Sequence, residues 1–216
     1  MNKTVKILIG VAVVAVAIIL LVVTFGSNSK SKLKVNSAED LTALVDQIYE
    51  GVSTEMPMLM TMPVDTTDAD AVKAFTGLNN ADNIEYAVVS EPMMNAQAYS
   101  MVLVKVKAGA NANAIAKEMN ENVDERKWIC VTAERVYSAA SGDVVCLVMS
   151  NADTAKTVFD SFKTIAGGIE EENVLVRVVE EPELPEDMLL DGPAIDDQPA
   201  TMPDDNMPID DQPAAM

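Results

Sequence analysis

The sequence predicts an α+β domain, an antiparallel sheet built from two β-β-α units with covering helices, preceded by one transmembrane helix. Three observations carry this. Residues 7–25 have Thr24 as their only polar side chain. Downstream, short strand-like apolar runs come in pairs between turn residues, and each pair is followed by a segment of helical periodicity. This pattern occurs twice, with about 42 residues between the equivalent positions Val102 and Val144. Two copies are too few for a solenoid and fit a sheet backed by helices.

At ~1.5 Å per residue the first stretch reaches roughly 28 Å as a helix, close to one bilayer hydrocarbon core. Lys3 and Lys6 precede it with no acid nearby, the layout of a signal-anchor. The run is longer than a usual signal-peptide core, and no Cys follows it to accept a lipid. Residues 1–26 are therefore expected to be a retained anchor, with cleavage between Gly26 and Ser27 as the alternative. Lys30, Lys32 and Lys34 on the far flank nearly balance the positive-inside signal. Orientation then rests on the length that must cross. The expectation is a single-pass cell-membrane protein with a cytoplasmic N-terminus and an extracytoplasmic domain, its bilayer contact made by residues 7–25.

Residues 27–35 read as a polar Ser/Lys linker and 36–179 as the domain. Ser37 caps a first helix, with Leu41, Leu44, Val45 and Ile48 on one face and Gly51 at its end. Met56, Met58, Met60 and Met62 alternate in what reads as a hydrophobic loop. A second helix spans 68–76, with Val72 and Phe75 inward and Gly77 as the stop. Strands follow at 84–90 and 101–107 around a turn at 92–98, the second with Val102, Val104 and Val106 on one face and Lys105 and Lys107 on the other. A helix covers 111–122. The second unit has strands at 129–137 and 143–149, a turn at 138–142, and a helix opening at 150–153 and closing at Gly167-Gly168. A last strand is expected at 174–179. Residues 180–216 hold twelve acids, no Lys or Arg, and abundant Pro and Met. Such a segment cannot offset its chain entropy by burial and is expected to be disordered.

The chain has 34 acids, 15 bases and no histidine. This charge balance, with few aromatic residues, excludes nucleic acid as a partner. Without histidine there is no Ser-His-Asp or Cys-His nucleophile system and no histidine-bound zinc. No cofactor is expected, since no glycine-rich phosphate loop is present. Placing the second hairpin turn near 139–142 sets Cys130 opposite about position 151 and Cys146 opposite about 135. They are then not cross-strand neighbours, and two buried free thiols are expected.

Val89-Ser90-Glu91-Pro92-Met93-Met94, with Gln97-Ala98-Tyr99-Ser100, Arg126-Lys127-Trp128-Ile129-Cys130-Val131 and Gly142-Asp143-Val144-Val145, resembles a family of bacterial membrane-anchored or lipoprotein domains of unknown function, mostly from Gram-positive anaerobes. The resemblance covers about residues 37–168. It implies an extracytoplasmic α+β domain and assigns no activity.

Candidate chemistry is sparse. The Ser-x-x-Lys spacings at Ser27/Lys30, Ser29/Lys32 and Ser31/Lys34 lie in the polar linker, where nothing desolvates a lysine. Acids 65–70 lack the glycine and distal Glu of a calcium loop and serve as a helix start. The alternating methionines have the soft sulfur that Cu(I) prefers, although packing on the sheet accounts for them. Trp128 beside Lys127 reads as a cap on the core or a partner anchor. Glu91, Met93, Met94 and Tyr99 around the first hairpin turn complete the candidate partner surface. No residue is singled out as catalytic or metal-binding. The sequence thus predicts a membrane-anchored binding or interaction module with a protein or cell-envelope partner. A hydrolase using acidic residues and a Met-rich metal-handling protein are the alternatives.

Overall fold

The computed structural model describes residues 31–94 and 97–180. The expected membrane helix at 7–25 and the acidic tail beyond 180 lie outside the described residues. Among the described residues no helix is long and apolar enough to cross a membrane.

The elements run α1 (Ala38–Glu50), β1 (Leu59–Pro63), α2 (Ala69–Thr76), β2 (Ile84–Pro92), β3 (Tyr99–Val106), α3 (Ala112–Asn122), β4 (Arg135–Ser141), β5 (Val144–Ser150), α4 (Ala152–Ala166), a 3-10 turn (Glu171–Asn173) and β6 (Leu175–Val178). The strands form one sheet in the order β1-β2-β3-β5-β4-β6, with every neighbouring pair antiparallel. The predicted α+β class and antiparallel sheet are therefore present.

Each α-helix opens on a short polar side chain that accepts from the free N–H groups of the first turn. Ser37, Asp68, Asn111 and Asn151 play this part for α1 to α4. Gly77 closes α2 at φ +75, and a Cβ there would stand 2.5 Å from the Val123 nitrogen, so both conformation and space require glycine.

Helices cover both faces of the sheet. On one, Val72 of α2 and Ile115, Ala116 and Met119 of α3 pack on Val89, Val102, Val104 and Leu147. On the other, Leu44 and Ile48 of α1 and Phe159 and Phe162 of α4 pack on Val88, Met101, Leu103 and Cys146. The central strands β3 and β5 are consequently buried on both sides, which explains their nearly unbroken apolar sequences. Lys105 is the exception in β3, and it reaches out along the sheet to pair with Asp143. The two β-β-α units are not rotated copies within the sheet, because α3 and α4 lie on opposite faces.

Several sequence-based expectations are corrected. The methionine loop is partly strand: residues 59–63 form edge strand β1 against β2. The strand expected at 129–137 begins only at Arg135, because β5 ends at Ser150, its partner; just upstream, the Ala133 N–H turns away to the Glu125 carbonyl at 3.0 Å. The strand instead runs on to Ser141, and a two-residue Gly142-Asp143 turn with φ +62 at Gly142 replaces the broader turn. The serines that suggested a loop are satisfied within the fold: Ser138 Oγ donates to the Ala116 carbonyl at 2.9 Å and Ser141 Oγ to Ser31 Oγ at 3.0 Å. The linker also ends earlier than expected. Lys32 N–H donates to the Ala166 carbonyl at 3.1 Å, Val35 is buried, and Leu33 packs on the same cluster.

Both cysteines are free, as expected, but only Cys146 is buried. The longer β4 moves the register, so that Cys146 lies between Ala139 and Leu103. Cys130 is exposed, in a loop, with φ +60. Burial pushes the Cys146 thiol up, away from its reactive thiolate form. A thiol reagent such as DTNB should label one cysteine rapidly in the native protein and two in denaturant; rapid native labelling of both would contradict this packing.

Candidate functional site

Pro57, Pro92 and the turn after β2 bring the exposed methionines to one corner of the sheet. Register places Met60 opposite Glu91, and Met58 accepts a backbone hydrogen bond from Met93 at 3.1 Å. Met58 is 77% exposed, Met93 61% and Met94 76%, and Met60 is also exposed. These four are most of the large apolar side chains that the described surface leaves open. Met58, Met93 and Met94, with Pro57, Pro92 and Gln97, line a cavity of about 460 Å³. A second, more polar cavity of about 510 Å³ adjoins it, sharing Pro57 and Gln97 and extending over Glu55, Thr132 and Asn151.

Alternation along β1 explains the stripe. Met58, Met60 and Met62 share a face, and the last packs into the core beneath α2 and α3. Leu59 and Thr61 face the opposite way, where Thr61 Oγ1 donates to Ser90 Oγ at 3.0 Å.

Lys127 closes the inner side of this corner. Its ammonium pairs with Glu91 and lies 5.5 Å from the Phe75 ring centre and 5.4 Å from that of Trp128. Two aromatic rings and one carboxylate thus hold a partly buried cation. Trp128 belongs to the core and is 7% exposed, so its ring serves as a wall and not as a protruding anchor.

Tyr99 does not join this surface. It is buried on the opposite face of the sheet, and its hydroxyl meets that of Tyr49 at 3.0 Å. Burial pushes Tyr49 up to about 12 and Tyr99 well above its ordinary value, so both stay neutral. Of the residues expected to form a partner surface, the structure brings together Glu91, Met93, Met94 and Lys127, with Trp128 beneath them. Sequence reading missed Pro57, Met58 and Met60 as members, since only the β1 register sets them beside Met93.

The free edge of β1 is poorly suited to another strand. The Met58–Met93 bond and the Val64 N–H to Ala87 carbonyl bond at 2.9 Å show that even-numbered residues turn their backbone toward β2. Pro57, Leu59, Thr61 and Pro63 turn theirs outward, and two of these four have no N–H. This corner therefore presents side chains and few outward backbone donors.

Where a carboxyl among the described residues is shifted, it is held low. Backbone and side-chain hydrogen bonds lower Glu39 and Asp65, both exposed. Burial pushes Glu125 up, but the Arg177 hydrogen bond at 2.8 Å and the guanidinium charge outweigh it and leave it lowered. A general acid needs the reverse. Among the described residues no three His, Cys, Asp or Glu side chains gather as a metal site. No family model, curated protein or solved structure matches the chain.

Two outcomes follow from these pairs. Lys127→Met keeps the packing over Phe75 but strands Glu91, and should cost about 1–3 kcal/mol in urea unfolding. Adding Glu91→Gln should recover part of that loss, and strict additivity of the two would refute the coupling. For Glu125 the folded value lies below its ordinary 4.5. Its contribution is then complete above about pH 4.5 and is lost as pH falls through the lower folded value. Urea midpoints should therefore drop less steeply below pH 4.5 in Arg177→Gln than in the parent protein; parallel acid limbs would contradict the pairing.

Proposed function

We propose that this protein is a membrane-anchored, extracytoplasmic binding module that grips a protein partner through the methionine corner. The observation that carries the reading is the gathering of Met58, Met93 and Met94, exposed, around one apolar cavity, with exposed Met60 next along the stripe, opposite Glu91 of the Glu91–Lys127 pair. Flexible thioether side chains adapt to an apolar surface, and exposed clusters of this kind mark contact sites. The resemblance to membrane-anchored bacterial domains and the apolar stretch at 7–25 support the anchored, outward placement.

The position of the corner fits this reading. Ser31, the first described residue, bonds Ser141 beside the β4–β5 turn. The β2–β3 turn lies at the other end of the sheet, because Tyr99 pairs with Ser150 while Lys105 pairs with Val144. About 20 Å of strand separates the two ends. A domain tethered through residues 7–25 would hold its methionine corner away from the bilayer, suited to a partner and not to lipid.

A photo-crosslinking side chain at Met58 or Met93 of the full-length protein in its native membrane should give a discrete adduct, and one at Lys117 on α3 should not. Met93→Glu with Met94→Glu should reduce the adduct from position 58 at least fivefold. Equal adducts at all positions would remove the proposal. The thioethers also favour a second reading, Cu(I) binding at Met58, Met93 and Met94. With the crosslinker at position 58, replacing Met93 and Met94 by Leu separates the two: an apolar docking site keeps its adduct, while Met93→Leu with Met94→Leu in the otherwise unaltered protein costs a metal site its Cu(I).

A further inference from the structure

The two edges of the sheet are finished differently. Where β1 is flanked by prolines, β6 has none. Val179 N–H donates to the Glu134 carbonyl at 3.0 Å, and Arg177 lies opposite Val136. Leu175, Arg177 and Val179 therefore turn their backbone toward β4, and Val174, Val176 and Val178 turn theirs outward. The Val174 N–H is taken by the Glu171 carbonyl. The N–H groups of Val176 and Val178 and the carbonyls of all three valines have no backbone partner among the described residues.

The side chains of this edge are as open as its backbone. Val176 is 49% exposed and Val178 57%, on the face where Tyr137 stacks on Phe159. Arg135, opposite Val178, is turned to the Glu134 carbonyl at 2.8 Å. An unblocked edge with exposed β-branched residues is a template for strand addition.

Charge decides what the added strand is. Glu172 precedes the strand and Glu180 and Glu181 follow it, while Glu171 is already paired with Lys163. Pairing two copies of β6 about Val176 would bring the Glu171–Asn173 turn of each, with Glu172, near the Glu180 end of the other, a repulsion at both ends. The same acids attract a strand with basic ends.

We propose that the β6 edge binds an extended peptide segment with alternating β-branched residues and Lys or Arg at both ends, which adds a seventh strand beside Val174, Val176 and Val178. This site is separate from the methionine corner, at the opposite edge of the sheet.

The test uses the full-length protein in detergent micelles and a fluorescent peptide, Lys-Lys-Val-Thr-Val-Thr-Val-Lys-Lys, followed by anisotropy. Binding should be at least tenfold tighter than for the same peptide with Glu at its ends. Val176→Pro removes one outward N–H and no bond to β4, and should weaken binding at least fivefold while native thiol labelling stays at one cysteine. Glu172→Lys with Glu180→Lys leaves the backbone edge intact and should weaken binding similarly. Met93→Glu with Met94→Glu should not change the affinity, so this proposal and the preceding one can fail separately. No binding, equal binding of the two peptides, or indifference to Val176→Pro would overturn it. Binding that appears only after residues 181–216 are removed would overturn it in favour of the chain's own tail, and self-association abolished by Val176→Pro in favour of a second copy.

Discussion

The pairing of β3 with β5 is the constraint on which the remaining elements depend. Seven residue pairs, from Tyr99–Ser150 to Lys105–Val144, join the two hairpins into one sheet. Both strands are buried on both faces, so each face exposes apolar surface that only a helix layer can cover. α2 and α3 cover one and α1 and α4 the other. Without that central pair the sheet would fall into two three-stranded halves, β1-β2-β3 and β5-β4-β6, and each of the two cores, which draw on both halves, would be divided. Contacts distant in sequence carry the fold as well: Ser161 Oγ donates to the Ile48 carbonyl at 2.7 Å, tying α4 to α1 across most of the domain.

Much of this was legible from local pattern. The four helices of the described residues follow from their periodicity, and the Ser37 cap was legible directly, because a cap is a short-range device; Asp68, Asn111 and Asn151 cap the others in the same way. β2 and β3 were legible from alternation between turns. What failed depended on partners far away in sequence. β1 is five residues of Met, Thr and Leu ending in Pro, a weak strand signal by itself, and it exists because β2 offers an unpaired edge. The limits of β4 could not be read from its own residues. Ile129 and Val131 look like strand, and Ser138 and Ser141 look like turn. Pairing with β5 and the hydroxyl partners supplied by Ala116 and Ser31 decide otherwise. The one error in the cysteine reading, the burial of Cys130, followed directly, since that residue lies in the loop upstream of β4.

The candidate site was half legible for the same reason. Met93 and Met94 could be picked out as exposed turn residues, and Lys127 and Trp128 as an unusual neighbouring pair. Their roles required the tertiary structure. Trp128 faces inward and Lys127 is held between it, Phe75 and Glu91. Tyr99 is one residue from the Ala98–Ser150 contact at the turn, yet strand alternation sends its ring to the far face, where it meets Tyr49. A one-residue difference in a strand reverses the side a residue faces, which is why sequence proximity to a loop is poor evidence of exposure.

The two sheet edges differ in composition in ways that would suit two modes of recognition in one domain. At β1, proline at two outward positions removes donors, while methionines on one face leave an adaptable apolar surface. That edge resists strand addition and favours side-chain contact. At β6, the backbone is open and the side chains are stiff and β-branched, which favours strand addition. Here acids at both ends take the place of proline in discouraging self-pairing. Proline excludes every strand, whereas like charge excludes only strands of the same sign. An edge guarded by charge therefore remains available to a complementary partner, and the acidity of Glu172, Glu180 and Glu181 would become a source of selectivity.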